Sequence, residues 1–192
     1  MVRFALVIGL LWVACQGKKH TLTAVSVAEF QEFVNETGYQ TEAEFFGWSF
    51  VQKDLVHYRK VQGANWKVPN GLDSAKANMP VVQVSYKDAL AYCHWKGTSL
   101  PSHAEYFQAI KRDSREVNSG QKTEMQSTIS CSVLGNVWDL SSDTTQGEVR
   151  LLGGSYLCDK TLCNGTDPKR QKWVSLSTAN SHQGFCVWTV SP

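Results

Sequence analysis

The sequence predicts a single domain of the α+β class with few helices, and two kinds of local signal carry this prediction. Three stretches of the 192-residue chain, "SVAE" from Ser26, "SYKD" from Ser85 and "SHAE" from Ser102, place a serine three residues before an acidic residue. In this pattern, typical of a helix N-terminus, the serine and the carboxylate each accept from the other residue's backbone N–H. The segments "VRLLGGSY" and "GFCVWTV" predict strands near the C-terminus, and "PVVQVS" from Pro80 predicts another directly before the second helix.

The composition is that of an ordinary globular protein. Apolar residues make up 42% of the chain, charged residues 19%, and the formal net charge is only +2 with the basic residues scattered. These values exclude a disordered chain and do not suggest a nucleic-acid surface, so no nucleic-acid partner is predicted. The stretches 39–79 and 111–135 are predicted to be irregular, and such long loops must be pinned by packing, metal or cross-links.

The N-terminus reads as an export signal. "MVRFALVIGLLWVAC" contains an apolar run from Phe4 to Ala14 that is too short to span a bilayer and suits a secretory signal. Residues 1–20 are therefore predicted to direct export and residues 21–192 to form the domain. The end of the run resembles the bacterial lipobox, which predicts lipid on Cys15 and a location in the bacterial envelope or periplasm. A plain cleaved signal, giving a secreted or endoplasmic-reticulum form, and a buried N-terminal strand are the alternatives.

Six segments carry a resemblance to a known family. They are "EFQEFVNETGYQTEAEFFGWSFV", "GANWKVPNGLDS", "MPVVQVSYKDALAYCHWKGTSLPSHAEY", "LGNVWDLSSD", "GGSYLC" and the "GF" that contains Gly184. In this order they resemble the formylglycine-generating enzymes, or sulfatase-modifying factors, over roughly residues 25–190. The resemblance implies a loop-rich α+β fold related to the C-type lectin fold. The glycine-rich opening of the family is missing and the stretch 111–134 is shorter than in the family, so the chain resembles a trimmed member.

The cysteines allow more than one arrangement. Six cysteines can pair in fifteen ways, and in an exported domain cysteine usage alone favours a disulfide between Cys158 and Cys163. The resemblance implies instead that these two hold one Cu(I), a soft ion for which thiolates are natural ligands. The two interpretations are compatible, because the same thiols can oxidise when metal is absent. The resemblance also implies a disulfide between Cys93 and Cys186.

Two further residues match family positions near the reacting oxygen. Ser155 corresponds to a serine beside the oxygen pocket, where a hydroxyl can stabilise a reduced oxygen species by hydrogen bonding; a simple turn hydroxyl is the alternative. Trp138 corresponds to a tryptophan that lines this pocket, and ordinary core packing is a compatible alternative. With the cysteine pair, these residues form the predicted catalytic set.

The segment "LGNVWD" resembles a calcium loop of the family. The resemblance implies backbone oxygens from Gly135 and Val137, a carboxylate from Asp139, and Ser132 in place of an asparagine ligand. Calcium binds several oxygen ligands of this kind. An acidic loop without an ion is the alternative.

The resemblance implies a copper-dependent oxidase that converts a cysteine of a protein substrate, in a C-x-P-x-R segment, to Cα-formylglycine with molecular oxygen. The residues between the two cysteines, "DKTL", differ from the basic and aromatic residues of the family, so the substrate need not be a sulfatase. The alternatives are a lectin-like binding module of the cell envelope without catalysis and a structural envelope lipoprotein. The only membrane association predicted is through lipid on Cys15. The five histidines lack metal-ligand spacing and are predicted to be surface or core residues.

Overall fold

The computed structural model describes residues 20–54, 56–113, 125–127, 134–158, 167–169 and 172–190. Helices and strands mix along the chain, which confirms the predicted α+β class. The helices are α1 (Val27–Thr37), α2 (Glu42–Phe46), α3 (Tyr86–Lys96) and α4 (His103–Asp113). The strands are β1 (His20–Ala24), β2 (Trp48–Gln52), β3 (Tyr58–Gln62), β4 (Trp138–Thr145), β5 (Glu148–Leu152), β6 (Lys172–Ser175), β7 (Gln183–Gly184) and β8 (Cys186–Val190). Within the described ranges no helix combines the length and apolarity needed to cross a membrane.

The three predicted helix starts are confirmed at Ser26, Ser85 and Ser102. At α1 the Ser26 hydroxyl accepts from Glu29 N at 3.3 Å, and the Glu29 carboxylate accepts from Ser26 N at 2.8 Å. The same reciprocal pair, Thr41 with Glu44, begins α2. The sequence carries this fourth signal as "TEAE", and the prediction missed it because α2 has only five residues and no apolar period follows it.

The strands that the structure describes form three sheets. Strands β1 and β8 pair antiparallel, β2 and β3 form an antiparallel hairpin, and the third sheet has the order β6-β5-β4-β7 with β4 and β7 parallel. The predicted C-terminal strands are confirmed as β5, β7 and β8. The hairpin β2–β3 lies in the stretch 39–79 that was predicted to be irregular. It was missed because β3 is almost entirely exposed and therefore lacks an apolar alternation.

The predicted strand "PVVQVS" is wrong. The segment 80–85 is fully buried, but the structure shows only an isolated bridge between Pro80 and Ser26. Gln83 has φ 62°, in the left-handed region, and its N–H donates to Asn180 O at 3.1 Å rather than to a neighbouring strand. The apolar residues of this segment thus reflect burial at the centre of the domain and not a place in a sheet.

The main core is aromatic and centres on Phe30 of α1. Its ring centroid lies 5.3–6.3 Å from the rings of Phe33, Trp66, Tyr92 and Phe185. These side chains are at most 2% exposed, and burying each stabilises the fold by about 1.5–3 kcal/mol. A second cluster, which includes Leu22, Tyr106 and Leu152, packs β1 and α4 against the third sheet.

The chain leaves β5 through Gly153, which has φ +83° and lies against the side chain of Tyr106. A Cβ at this position would overlap the Tyr106 hydroxyl. Gly147 has nearly the same φ, +80°, but a Cβ there would meet no atom within 4 Å. Of these two glycines, only Gly153 is therefore required both by its conformation and by its packing.

Gly153→Ala should destabilise the protein more than Gly147→Ala. Both alanines carry the left-handed strain of about 1–2 kcal/mol, but only the first also displaces Tyr106. Thermal unfolding of the two variants measures the difference, and Gly147→Ala alone should lower Tm by a few degrees. Equal losses in the two variants would contradict the packing role of Gly153.

Candidate functional site

The predicted catalytic residues Ser155 and Cys158 meet in a tight turn after β5. Cys158 N donates to Ser155 O at 2.9 Å, and Ser155 N donates to the Cys158 sulfur at 3.3 Å. Both side chains are buried, with Ser155 1% and Cys158 6% exposed. The turn thus presents a sulfur with a backbone donor aimed at it, an arrangement that can stabilise negative charge on the sulfur.

His182 completes this cluster. Its Nδ1 lies 3.1 Å from the Ser155 hydroxyl oxygen, which in turn lies 3.8 Å from the Cys158 sulfur. Burial, with a smaller contribution from Lys172, lowers the pKa of His182 to about 3, so the imidazole is neutral at neutral pH. The histidines were predicted to be surface or core residues, and the contact of His182 with Ser155 was not predicted. His182 lies 27 residues from Ser155, and no local motif indicates the contact.

Trp138, the first residue of β4, borders the same cluster. The backbone N–H of Trp138 donates to His182 O at 2.8 Å, and Trp138 pairs with Gln183 in the parallel β4–β7 register. The ring is 6% exposed, shares the main core cluster with Cys158, and has Lys172 Nζ 4.8 Å from its centroid. Three of the four predicted catalytic residues are thus close together in one part of the fold; the fourth, Cys163, lies outside the described residues.

Asp139 does not fit the predicted calcium role. Its side chain is 1% exposed, one oxygen accepts from the Tyr106 hydroxyl at 2.8 Å, and the other accepts from the Cys186 thiol at 2.9 Å. Burial raises the pKa of Asp139 to about 7. A calcium ligand needs a carboxylate free to face the ion, whereas both oxygens of Asp139 are already bound by interior donors.

The rest of the predicted calcium set adds no second carboxylate. Gly135 and Val137 are buried, with Gly135 N donating to Gly153 O at 3.1 Å, and Ser132 lies outside the described residues. Among the residues that the structure describes, no group of three or more His, Cys, Asp or Glu side chains is placed to hold a metal ion.

The predicted Cys93–Cys186 disulfide is not formed in the structure. Neither cysteine is in a disulfide: Cys186 donates to Asp139, and Cys93 packs in the main core while Cys186 belongs to the second cluster. Burial raises the pKa of Cys93 to about 12, which keeps its thiol protonated. Cys15, the predicted lipid site, lies outside the described residues.

A cavity of about 340 Å³ adjoins the cluster. Tyr156 and Ser181, the chain neighbours of Ser155 and His182, line it. Gln52, Asp73 and Lys76 line it as well. Among the described lining residues Asp73 supplies the carboxylate and Lys76 the ammonium group. The cavity therefore offers space, and one charge of each sign, directly beside the Ser155–Cys158 turn.

Together, the fold and the site define a loop-rich α+β protein with a buried cysteine–serine–histidine cluster. A family model described as "Sulfatase-modifying factor enzyme 1-like domain" matches residues 20–130. The formylglycine-generating enzyme of Mus musculus is 31% identical over an alignment that covers 72% of this chain. The chain belongs to the sulfatase-modifying factor family, as the sequence predicted.

The similarity has limits that matter for function. The matched region covers 57% of the mouse enzyme. The inactive Cα-formylglycine-generating enzyme 2 of Bos taurus is 42% identical over an alignment that covers 43% of this chain and 34% of that protein. The structure of PvdO from Pseudomonas aeruginosa superposes with a TM-score of 0.65 over 88% of this chain and 80% of that chain, at 13% identity, which supports the fold alone. Family membership is thus compatible with either an active or an inactive protein.

The pH dependence of stability tests the burial of Asp139. The ordinary pKa of 3.8 applies to the unfolded chain, and burial raises the pKa to about 7 in the folded protein. Between these values the folded state retains a proton that the unfolded state has released, so the contribution of Asp139 to the free energy of unfolding falls as pH rises. The loss in free energy of unfolding between about pH 4.5 and about pH 7.5 should be smaller in Asp139→Asn than in the wild type, by at most about 4 kcal/mol. Urea denaturation at the two pH values measures this difference.

The matched control is Asp73→Asn, which changes an exposed carboxylate and should keep the wild-type slope. An Asp139→Asn variant that loses as much stability as the wild type between the two pH values would show that Asp139 titrates normally.

Proposed function

We propose that this protein is a copper-dependent oxidase that converts a cysteine of a protein substrate, in a C-x-P-x-R segment, to Cα-formylglycine with molecular oxygen. The observation that carries the proposal is the turn in which Ser155 contacts both the Cys158 sulfur and the neutral His182, at the edge of a cavity. Family membership supports a sulfatase-modifying activity in general, and the buried cluster supports this particular chemistry.

The residues present suit Cu(I). Cys158 offers a buried sulfur with a backbone N–H donor at 3.3 Å, and no carboxylate contacts the sulfur within the described part of the chain. Thiolates select soft ions such as Cu(I), so Cys158 and Cys163 are the proposed ligands. Bound copper would supply the one-electron chemistry that activation of molecular oxygen requires.

The electron balance of the reaction requires an external reductant. Conversion of the cysteine side chain from –CH₂–SH to –CHO, with sulfur leaving as hydrogen sulfide, removes two electrons. Full reduction of oxygen takes four, so two more must come from a reductant such as two small thiols, which become a disulfide. The balanced products are then formylglycine, hydrogen sulfide, one disulfide and one water.

The contacts of Ser155 suggest how its proton is directed. A thiolate can only accept hydrogen bonds, so when Cys158 is ionised the Ser155 hydroxyl can donate its single proton toward the sulfur, 3.8 Å away. Its lone pairs then accept from His182, which requires the tautomer with the proton on Nδ1. A neutral imidazole can adopt that tautomer, and the low pKa of His182 keeps it neutral. His182 would thus act as a positioning residue for Ser155.

The cavity offers a place for the substrate. Tyr156, which lies within the Ser155–Cys158 turn, lines the cavity, so a cysteine side chain bound there would lie beside this turn. The C-x-P-x-R segment ends in arginine, and Asp73 is the carboxylate available among the described lining residues. An exposed carboxylate can bind a guanidinium group through two parallel hydrogen bonds.

A binding module without catalysis is the second candidate. The observation that favours it is the 42% identity to a relative named as inactive. The described fold is equally compatible with an active and with an inactive protein. Cys158 and Cys163 discriminate between the two functions, because an oxidase needs both thiols and a binding module needs neither.

Cys158→Ser and Cys163→Ser should each abolish both copper binding and turnover. A serine hydroxyl is a hard and weakly ionised donor that replaces a thiolate poorly at a soft ion. The measurement is Cu(I) affinity by chelator competition, followed by mass spectrometry of a C-x-P-x-R peptide incubated with oxygen and a thiol reductant. Cys93→Ala is the matched control, because it removes a buried thiol outside the site and should retain both properties.

The opposite outcome is equally measurable. A wild-type protein that takes up no copper and keeps a Cys158–Cys163 disulfide resistant to thiol reductants would reject the oxidase and favour the binding module.

A double-mutant cycle tests the role of His182. Ser155→Ala and His182→Leu should each lower kcat on the order of 10- to 100-fold. The first variant removes the hydroxyl that would bond the developing charge, and the second removes the side chain that orients this hydroxyl. If His182 acts through Ser155, the double variant should be no slower than Ser155→Ala alone.

Cu(I) affinity should stay within a few-fold of wild type in all three variants, and His182→Asn, which retains a side-chain donor, should recover part of the rate. Multiplicative losses in the double variant would mean that the two residues act independently.

A further inference from the structure

Five aromatic side chains form a continuous row on the surface, which we call the aromatic row. Its members are Phe45, Phe46, Trp48, Phe50 and Tyr58. Neighbouring ring centroids are 5.2–6.1 Å apart, and the two ends of the row, Phe45 and Tyr58, are 74% and 63% exposed. A contiguous exposed apolar surface of this kind is uncommon on a soluble protein and is typical of an interaction site.

The local structure shows why these rings are outside the core. Strand alternation places Trp48 and Phe50 on one face of β2, and the hairpin register places Tyr58 opposite Gln52 on that same face. Ser49, on the other face, is 2% exposed and donates to Ala179 O at 3.0 Å. The hairpin therefore turns Ser49 toward the domain and its aromatic side chains toward solvent.

The row carries positive charge. Lys60 lies opposite Phe50 in the hairpin, on the face of the row, and its Nζ lies 3.8 Å from the Trp48 ring centroid. Within the described part of the chain Lys60 forms no salt bridge. Two acidic side chains of the neighbouring helix α2 are already paired, Glu42 with Lys87 and Glu44 with Lys67. The charge of this surface thus suits a partner that brings acidic groups.

The row leads into the cavity beside the catalytic cluster. Gln52, the next residue on the same face of β2 after Phe50, lines that cavity. Ser181 also lines it, and two hydrogen bonds fix β2 to this residue: Ser181 N donates to Phe50 O at 3.1 Å, and Gln52 N donates to Ser181 Oγ at 2.9 Å. A chain leaving the cavity at Gln52 would therefore pass directly onto the row.

We propose that the aromatic row binds the part of the polypeptide substrate that flanks the reacting cysteine, and that it prefers an extended segment with apolar and acidic side chains. Four ring-to-ring steps correspond to roughly six residues of extended chain. The rings would contact the apolar side chains, and Lys60 would attract the acidic ones. This inference rests on the proposed function, because it assigns a second binding region to the same substrate.

A lipid surface is the other partner that basic and aromatic side chains can attract. Continuity with the cavity favours the polypeptide, because a membrane would engage the exposed rings without any need for a path to Gln52. Binding to vesicles is therefore kept as an outcome of the test.

The test measures peptide binding without turnover. Fluorescent peptides share one C-x-P-x-R core in which the cysteine is replaced by serine. They carry no extension, a six-residue extension of Phe, Leu, Asp and Glu, or the same extension with Lys in place of the acidic residues. Extensions are placed before and after the core in separate peptides. On at least one side, the acidic extension should tighten binding about tenfold or more over the core alone, about 1.4 kcal/mol, and the basic extension should not.

The variants Phe46→Ser, Tyr58→Ser and Lys60→Glu should remove this gain and leave the affinity for the core peptide unchanged. Leu72→Ser is the matched control, because Leu72 is 81% exposed but lies outside the row. In turnover assays the row variants should raise KM for extended substrates and leave kcat unchanged.

The outcomes separate this inference from the proposed function. Extension-dependent binding that the row variants remove supports the inference even if the protein shows no oxidase activity. The inference is overturned if the extension has no effect in an active enzyme or if no peptide binds. It is also overturned if the row variants abolish binding to phosphatidylserine vesicles but not to the extended peptide.

Discussion

The architecture of the site depends on one buried amide, that of Gln83. Its side chain donates to Phe50 O at 3.1 Å and Pro69 O at 2.6 Å, accepts from the Ser49 hydroxyl, and its backbone N–H donates to Asn180 O at 3.1 Å. Four segments of the chain meet at this fully buried residue. Its left-handed φ of 62° costs about 1–2 kcal/mol, but losing the side-chain amide would remove three hydrogen bonds that contribute about 0.5–1.5 kcal/mol each. The strain is therefore tolerated because the contacts around it outweigh it.

This constraint gives the hairpin a fixed relation to the Ser155–Cys158–His182 cluster. Once Gln83 holds Phe50 and Asn180 together, Gln52 on one side and Ser181 on the other line the same cavity, and His182 follows Ser181 directly. The parallel pairing of β4 with β7 then brings Trp138 to this segment. The hairpin, the cavity and the sulfur cluster thus belong to one hydrogen-bonded unit, and the proposed function needs such a unit to position a reacting side chain to within about an ångström.

Two buried ionisable groups show how this family member differs from the expectation drawn from its relatives. Asp139 is held by a tyrosine and a cysteine in the interior rather than offered to an ion, and His182 is a neutral imidazole beside Ser155. The family match covers residues 20–130, so it ends before all of these side chains except Tyr106. Similarity therefore identifies the family, while the chemistry of the site has to be judged from its own contacts, especially since one similar relative is named as inactive.

The sequence by itself determined the features whose partners are close along the chain. The helix starts could be predicted because Ser26, Ser85 and Ser102 bond an acidic residue three positions later, and the Ser155–Cys158 pair lies within one turn. Only the tertiary structure decided the rest: the contact of His182 with Ser155, the inward carboxylate of Asp139, the exposed aromatic row and the loss of the strand expected around Gln83. The contacts of His182 with Ser155, and of Asp139 with Tyr106 and Cys186, span 27 to 47 residues, and a buried apolar stretch or a lone histidine has the same local pattern whatever distant group it contacts. Local hydrogen bonds are encoded by neighbouring residue types, whereas long-range contacts are set by how the whole core packs.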